Sequence, residues 1–155
     1  MLQARGVRYV LIGGLAATLY GSPHVTTDVD ITPEKGPANL RRLAEALDDL
    51  DARVRTEGEP DGLPFDRFPE MLARVSVLNL TTRAGDLDLT FEPAGTQGYG
   101  DLERRAVHIE IRGIHVPVAA LADVIRSKEA ANRDKDRLTL PTLRRLLERL
   151  EGGRE

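Results

Sequence analysis

The amino-acid sequence predicts an α/β (α+β) fold, in which a central mixed β-sheet carries helices mainly on one face and a helix pair follows at the C-terminus. Three observations predict it. Short β-type runs cluster in the middle of the chain, helical stretches lie at its end, and the composition is globular, with 41% hydrophobic and 30% charged residues. The 155 residues suit one domain, which we expect to span residues 1–155.

The first part of the chain is predicted to alternate between strands and helices. A β-type run over 6–12 stops at two glycines, and a short helical stretch follows over 15–20. Residues 28–32 alternate as in a strand, and residues 37–50 carry leucines on one helical stripe with a proline in the first turn. Residues 56–70 hold three prolines and two glycines, so we expect an irregular loop there.

The second part is predicted to hold four strands and then two helices. The strands form two pairs, each joined by a turn that contains glycine. Pro141 is expected to separate the two helices. The predicted strands are 74–81, 86–91, 107–111 and 114–118, and the predicted helices are 119–132 and 143–150.

The segment around Asp28 and Asp30 carries the clearest chemical signal. Residues two apart in a strand point to the same side, so these carboxylates should project together while their apolar neighbours enter the core. Two adjacent carboxylates repel each other unless a cation lies between them, and all-oxygen ligation suits Mg²⁺ or Mn²⁺. Gly13 and Gly14 end the preceding strand, where the absence of side chains lets a phosphate approach the backbone.

A third carboxylate is expected from a second strand. Asp88 lies between two leucines, and antiparallel pairing with the strand of Asp28 and Asp30 would bring it beside them. Asp86 would share the same face and is the alternative third acid. Three convergent carboxylates can hold two divalent ions roughly 4 Å apart, an arrangement that activates a hydroxyl and stabilises a leaving pyrophosphate.

These motifs resemble the signature of the DNA polymerase β-type nucleotidyltransferase superfamily. That signature is a hydrophobic residue and Gly-Gly or Gly-Ser, then Asp-x-Asp, then a distant Asp between apolar residues. Thirteen residues separate Gly14 from Asp28 here, within the usual spacing. The run KEAANRDKD over 128–136 is similar to an element of small bacterial toxin-type members, the AbiE-type and mycobacterial toxins. The resemblance covers residues 5–150 and implies the nucleotidyltransferase fold.

The resemblance also implies roles for individual residues. Asp28 and Asp30 would hold both metal ions, and Asp88 would complete one site and help to activate the acceptor hydroxyl. Lys128 would reach the triphosphate and count with these aspartates as catalytic, while Asp136 would orient Lys128 or the nucleotide; a surface salt bridge is the alternative for both. The residues expected to bind the nucleotide are Gly13, Gly14, Ser22, His24, Thr27, Lys128 and Asp136.

The sequence departs from the family pattern before Asp-x-Asp. Small relatives commonly carry an arginine there, whereas this chain has His24. A histidine can donate a hydrogen bond to a phosphate, but it is mostly neutral at pH 7. We therefore expect binding of the triphosphate to be weaker or pH-dependent at this position. His108 and His115 lie in strand patterns and are interpreted as structural.

Charge and composition exclude several classes of protein. The formal charge of −3 excludes binding of nucleic acid by bulk positive charge alone, and the absence of cysteine excludes thiolate chemistry and disulfides. No stretch reaches the length of a membrane span and no signal sequence is visible, so we expect a cytoplasmic protein that binds no membrane. Residues 126–149 hold eight basic and four acidic side chains, which suits an RNA acceptor or an ordinary solvated helix face.

The leading hypothesis is transfer of a nucleoside monophosphate from an NTP to an acceptor hydroxyl, with release of pyrophosphate and two Mg²⁺ (or Mn²⁺) ions. The toxin-type resemblance implies an RNA acceptor, the 3′ end of tRNA, and a cognate antitoxin as partner. One alternative is AMPylation of a protein by a minimal nucleotidyltransferase antitoxin, and another is a degenerate nucleotide-binding domain. Enzymes that modify small acceptors such as aminoglycosides usually have an additional helical domain, for which this chain has little length. A haloacid-dehalogenase-type phosphatase is disfavoured because no buried strand precedes Asp28.

Overall fold

The computed structural model describes residues 1–153, and these residues form one eight-stranded mixed sheet with six helices. The spatial order of the strands is β4-β3-β5-β6-β2-β1-β8-β7. The strands are β1 (Tyr9–Ile12), β2 (Val29–Pro33), β3 (Arg53–Thr56), β4 (Glu59–Leu63), β5 (Val77–Thr82), β6 (Gly85–Thr90), β7 (Val107–Ile111) and β8 (Ile114–Val118). This architecture confirms the predicted fold class.

The helices lie between the strands and after the last one. The last two, α5 and α6, form the predicted C-terminal pair and pack against each other. The helices are α1 (Gly13–Leu19), α2 (Pro37–Asp49), α3 (Pro69–Leu72), α4 (Tyr99–Glu103), α5 (Leu121–Ala131) and α6 (Asp134–Gly152). None of the helices in the described part of the chain is long and apolar enough to cross a membrane.

The core forms where apolar strand residues meet apolar helix faces. Leu43 and Leu47 on α2 are fully buried, as are Ile31 on β2 and Leu89 on β6. Burying a leucine or isoleucine side chain contributes about 1.5–3 kcal/mol, so this packing holds β2 and β6 firmly side by side. The polar faces of the same two strands consequently have a fixed position.

The direction of β6 differs from the prediction. β2 pairs with β6 in parallel, with Asp30 opposite Asp88, whereas antiparallel pairing was expected. The prediction was wrong because β3, β4 and β5 lie between β2 and β6 in the chain, and this long excursion returns β6 in the same direction as β2. The pleat still places directly paired residues on the same face, so Asp88 lies beside Asp30.

The predicted loop over 56–70 is wrong in part, because it contains β4 and overlaps the end of β3 and the start of α3. Pro60 is tolerated in β4 because that strand lies at the edge of the sheet, where a missing N–H costs little. Gly62 has a φ of +73°, and a β-carbon there would come within 2.9 Å of the Val54 carbonyl oxygen. The proline and glycine that suggested a loop therefore allow this edge strand to approach its neighbour.

The helix break also differs from the prediction, because α6 runs continuously through Pro141. The break lies at Asn132, which ends α5 in the left-handed region with φ of +50°. Leu140 and Leu143 are buried on either side of the proline, so the apolar stripe continues across it. This packing outweighs the helix penalty of about 3 kcal/mol for an internal proline.

Candidate active site

Asp30 and Asp88 lie next to each other on the exposed end of one sheet face. They are directly paired across β2 and β6, and the same row continues to Ile12 on β1 and Asn79 on β5. Paired residues share a face of the sheet, and the next residues along the strands, Ile31 and Leu89, point to the opposite, buried face. The alternation of polar and apolar residues in β2 and β6 thus separates a carboxylate row from the core.

Gly13 leaves room for the Asp30 carboxylate. Its φ is +72°, a conformation that L side chains rarely adopt, and it begins α1 directly after β1. A β-carbon at this position would overlap Asp30 Oδ2 and come to 3.0 Å from Asp30 Cγ. The first glycine of the Gly-Gly pair is therefore required by the aspartate that follows seventeen residues later.

Asp30 carries an unusual charge environment. Burial, the charge and hydrogen bond of Asp88, and the charge of Asp28 together raise the pKa of Asp30 to about 7, and Lys135 opposes this rise only in part. Asp28 precedes β2 and accepts a hydrogen bond from Thr27 Oγ1 at 3.3 Å. Asp30 and Asp88 are thus in direct contact, while Asp28 acts on Asp30 through its charge.

The donor set fits a hard divalent cation, although a complete metal-binding cluster is not preformed. Among residues 1–153, no three His, Cys, Asp or Glu side chains converge closely enough to hold a metal ion as they stand. Burial first, and then the neighbouring acids Asp88 and Asp28, raise the pKa of Asp30, and a cation would stabilise its charged form; carboxylate oxygens suit Mg²⁺ or Mn²⁺. The residues that would hold it are Asp30, Asp88 and Asp28.

Lys128 and Asp136 are joined in an ion pair between α5 and α6. Lys128 Nζ lies 3.5 Å from Asp136 Oδ1, and Asp136 also accepts hydrogen bonds from the backbone N–H and the guanidinium of Arg133. Burial disfavours the Asp136 anion, but the Arg133 hydrogen bonds and the nearby Lys128 charge lower the pKa of Asp136 overall. Asp136 is fully buried, so the Lys128 ammonium meets this carboxylate inside the protein.

A cleft of about 730 Å³ connects the carboxylate row with Lys128. Of the residues predicted to bind a nucleotide or metal, those lining it are Gly13, Gly14, His24, Asp28, Asp30, Asp88 and Lys128. Ser22, Thr27 and Asp136 do not line it. Ser22 is buried and its Oγ lies 3.4 Å from the backbone N–H of His24, so it shapes the loop that carries the histidine.

Three polar residues at the site were not assigned by the sequence. Arg55 on β3 donates to Asp88 Oδ1 at 2.7 Å, Asn79 lies opposite Asp88, and Lys135 lines the cleft close enough to act on Asp30. Lys135 is adjacent to Asp136 in the run KEAANRDKD, so that motif was an available signal. Arg55 and Asn79 carry no local signal, because their position depends on the order of β3, β5 and β6.

The fold is shared with solved nucleotidyltransferase structures. A Thermotoga maritima protein classed as a nucleotidyltransferase, TM1012, matches with a TM-score of 0.57 at 16% identity, covering 96% of this chain and 86% of that one. The lincosamide antibiotic adenylyltransferase LnuA, solved with lincomycin bound, matches with a TM-score of 0.59 at 12% identity, covering 94% and 90%.

Sequence comparison adds no closer relative. No family model matches the chain, and no curated protein is significantly similar to it in sequence. The identities to TM1012 and LnuA are low, so these structures establish the nucleotidyltransferase fold of this chain and leave its chemistry to be argued from its own residues.

Proposed function

We propose that this chain is a single nucleotidyltransferase domain that transfers a nucleoside monophosphate from an NTP to an acceptor hydroxyl. The observation that carries the proposal is the pairing of Asp30 with Asp88 beside Gly13, in a cleft that also presents Lys128. Carboxylates at one side and a lysine at the other suit a substrate that combines a triphosphate with divalent cations.

The reaction replaces one bond to phosphorus by another. The acceptor oxygen bonds to the α-phosphorus, the bond from that phosphorus to the bridging oxygen of the β-phosphate breaks, and pyrophosphate leaves. The acceptor proton passes to a carboxylate beside the hydroxyl. We assign this role to Asp88, which lies next to β5 in the carboxylate row. Transfer needs no covalent enzyme intermediate, so positioning and charge supply the catalysis.

The residues that line the cleft have different proposed roles, which follow from their positions. Asp30 and Asp88, with Asp28, would hold the one or two Mg²⁺ (or Mn²⁺) ions, which when bound neutralise the phosphate charge and polarise the attacked phosphorus. Lys128, oriented by Asp136, donates to the phosphates. Lys135 adds a second positive charge, and His24 also lines the cleft.

An RNA acceptor, the 3′ end of tRNA, is the acceptor that we propose first. Arg133 and Lys135 line the cleft at the start of α6, and Arg145 and Arg149 lie further along the same helix, so positive charge is available to RNA phosphates. Nucleotide addition at that end would block translation, as a toxin does, and a co-encoded antitoxin would be its partner. These substrates are cytoplasmic, so we place the protein in the cytoplasm.

A small hydroxylated molecule is the second candidate acceptor. LnuA, an adenylyltransferase for lincosamide antibiotics, is matched over 90% of its length, so the length of this chain does not count against a small acceptor. The positive charge at the start of α6 is also partly neutralised, because Arg133 pairs with Asp136. The lining of the cleft offers no phenylalanine, tyrosine or tryptophan in the described residues for base stacking.

Label transfer tests the proposal. The protein is incubated with Mg²⁺ and each α-labelled NTP, in turn with total RNA, with lysate protein and with a panel of hydroxylated antibiotics. We expect label in RNA that is lost in Asp30→Asn and retained in Asp86→Asn, which removes an acid outside the cleft lining. Label in a small molecule supports the second candidate, and label in protein indicates AMPylation.

Nucleotide binding without turnover would indicate a degenerate domain. If no labelled product and no pyrophosphate form with any NTP, and wild type and Asp30→Asn behave alike, the enzymatic proposal is wrong. A neighbouring gene for a small protein that forms a complex with this one and suppresses its labelling activity would support the toxin–antitoxin role.

A further inference from the structure

We propose that Arg55 is a positioning residue that holds Asp88 in place and limits cation binding until the nucleotide arrives. The inference rests on the proposed function, because it assumes that Asp88 takes part in holding the divalent ion. It concerns a residue on β3, two strands away from β6 in the sheet, that no motif in the sequence marks.

The contacts of Arg55 fix its guanidinium at one place. Nη2 donates to the Leu80 carbonyl oxygen at 2.9 Å and to Asp88 Oδ1 at 2.7 Å, while Nε lies 3.4 Å from Asp86 Oδ2. The Leu80 carbonyl belongs to β5, which lies between β3 and β6, so the guanidinium is anchored to backbone before it reaches the carboxylate. Nε is buried and makes no hydrogen bond, so the ion pair with Asp86 is the main interaction at that nitrogen.

The same contacts constrain Asp88. Its side chain is only 15% exposed, and Arg55 binds one of its two carboxylate oxygens. Besides Arg55, the neighbour that bonds Asp88 is Asp30 itself, so Arg55 holds the Asp88 carboxylate against the acid with which it would share a cation. A charge-assisted hydrogen bond of this length is strong enough to fix a rotamer.

Arg55 also changes the charge of the site. Its guanidinium places a positive charge on a carboxylate that would otherwise be available to a divalent ion, while the adjacent Asp30 has Asp28 and Asp88 as negative neighbours. A fixed positive charge within about 5 Å of a divalent ion weakens its binding by roughly tenfold even at the dielectric constant of water. The free protein should therefore bind a divalent ion weakly, and the charge of an NTP should compensate.

The test compares variants that separate charge from position. Arg55→Gln removes the charge, and Arg55→Lys keeps the charge but lacks the planar guanidinium whose fixed geometry joins Leu80 to Asp88. Arg53→Gln is the matched control, because Arg53 lies two residues away on the same strand and makes no ion pair within residues 1–153. Free Mn²⁺ binding is measured by electron paramagnetic resonance, and kcat and KM for the NTP are measured with Mg²⁺.

We expect Arg55→Gln to bind free Mn²⁺ roughly tenfold more tightly than wild type, and Arg53→Gln to change the affinity by less than about twofold. Arg55→Lys should keep the wild-type Mn²⁺ affinity and lose about tenfold in kcat with KM for the NTP unchanged, since the orientation of Asp88 acts on the transition state. If Arg55→Gln does not fold, the kcat and KM of Arg55→Lys still decide the matter.

Equal Mn²⁺ affinities in wild type, Arg55→Gln and Arg53→Gln would overturn the inference and leave the proposed function intact. Wild-type kinetics in Arg55→Lys would overturn it too. If wild type binds no Mn²⁺ even with an NTP present, the proposed function fails and the inference fails with it.

Discussion

The carboxylate of Asp30 occupies the space that a side chain on Gly13 would need. Gly13 joins β1 to α1 with a positive φ, and Asp30 lies opposite Ile12 in the antiparallel pair of β1 and β2. The glycine therefore serves the placement of the acid, in addition to any approach of a phosphate to the backbone. Asp30 in turn lies against Asp88, so one small residue determines the geometry of the carboxylate pair.

Gly13→Ala should displace Asp30 and abolish nucleotidyl transfer. The alanine meets Asp30 Oδ2 and must adopt a left-handed backbone, at a cost of about 1–2 kcal/mol in the free energy of unfolding. Gly14→Ala is the control, because its β-carbon meets only Thr26, at 3.2 Å, and no positive φ is involved. Label transfer and urea unfolding measure the two effects. Activity of Gly13→Ala equal to that of Gly14→Ala would contradict the steric role.

The stability of the metal-free protein should fall as the pH rises from about 4 to about 7. The pKa of Asp30 is raised from 3.8 to about 7 by burial and by its acidic neighbours, so the folded state holds a proton that the unfolded chain has lost. Stability is complete below the unfolded pKa and is lost as the pH rises through the folded one, by at most about 4 kcal/mol.

Asp30→Asn tests this pH dependence, because its neutral amide mimics the protonated acid. The variant should lose most of the slope between pH 4 and 7 and be more stable than wild type at pH 8 in chelator. Urea unfolding across the pH range is the measurement. A stability that rises through this window in wild type, or an identical slope in the variant, would show that Asp30 is not the titrating group.

Asp136→Asn should destabilise the protein by about 2–4 kcal/mol, because it leaves Arg133 and Lys128 without their buried partner. KM for the NTP should rise as well, since Lys128 loses its orientation. Asp134→Asn is a matched control on the same turn of α6, where the carboxylate is 94% exposed and its removal should change stability by less than about 0.5 kcal/mol. Similar effects of the two changes would exclude an orienting role for Asp136.

The three lysines of the chain separate phosphate binding from general charge. Lys128→Gln and Lys135→Gln should each raise KM for the NTP about tenfold, because both side chains line the cleft and charge-assisted contacts contribute about 1.5–3 kcal/mol. Lys35→Gln removes the same charge from a lysine that packs over Phe91, outside the cleft, and should leave KM unchanged. Equal changes in all three would mean that only the net charge matters.

The sequence predicts local features better than long-range ones. Alternation in β2 and β6 placed Asp30 and Asp88 on the polar side of their strands, and the fold class followed from the sum of such patterns. The direction of β6 and the contact of Arg55 depend on how β3, β4 and β5, which lie between β2 and β6 in the chain, pair on the far side of β6 in the sheet. Such non-local pairing has no sequence period, and Pro60 and Gly62 concealed β4 because an edge strand tolerates them.

The claim that Asp30 and Asp88 together hold a divalent cation is tested most directly by Mn²⁺ binding. Electron paramagnetic resonance measures this binding in the presence of a non-hydrolysable NTP analogue. We expect wild type to bind Mn²⁺, Asp30→Asn and Asp88→Asn each to lose at least about a hundredfold in affinity, and Asp86→Asn to keep an affinity near that of wild type. Equal Mn²⁺ affinity in all four proteins, or no binding by wild type, would contradict a cation site built on Asp30 and Asp88.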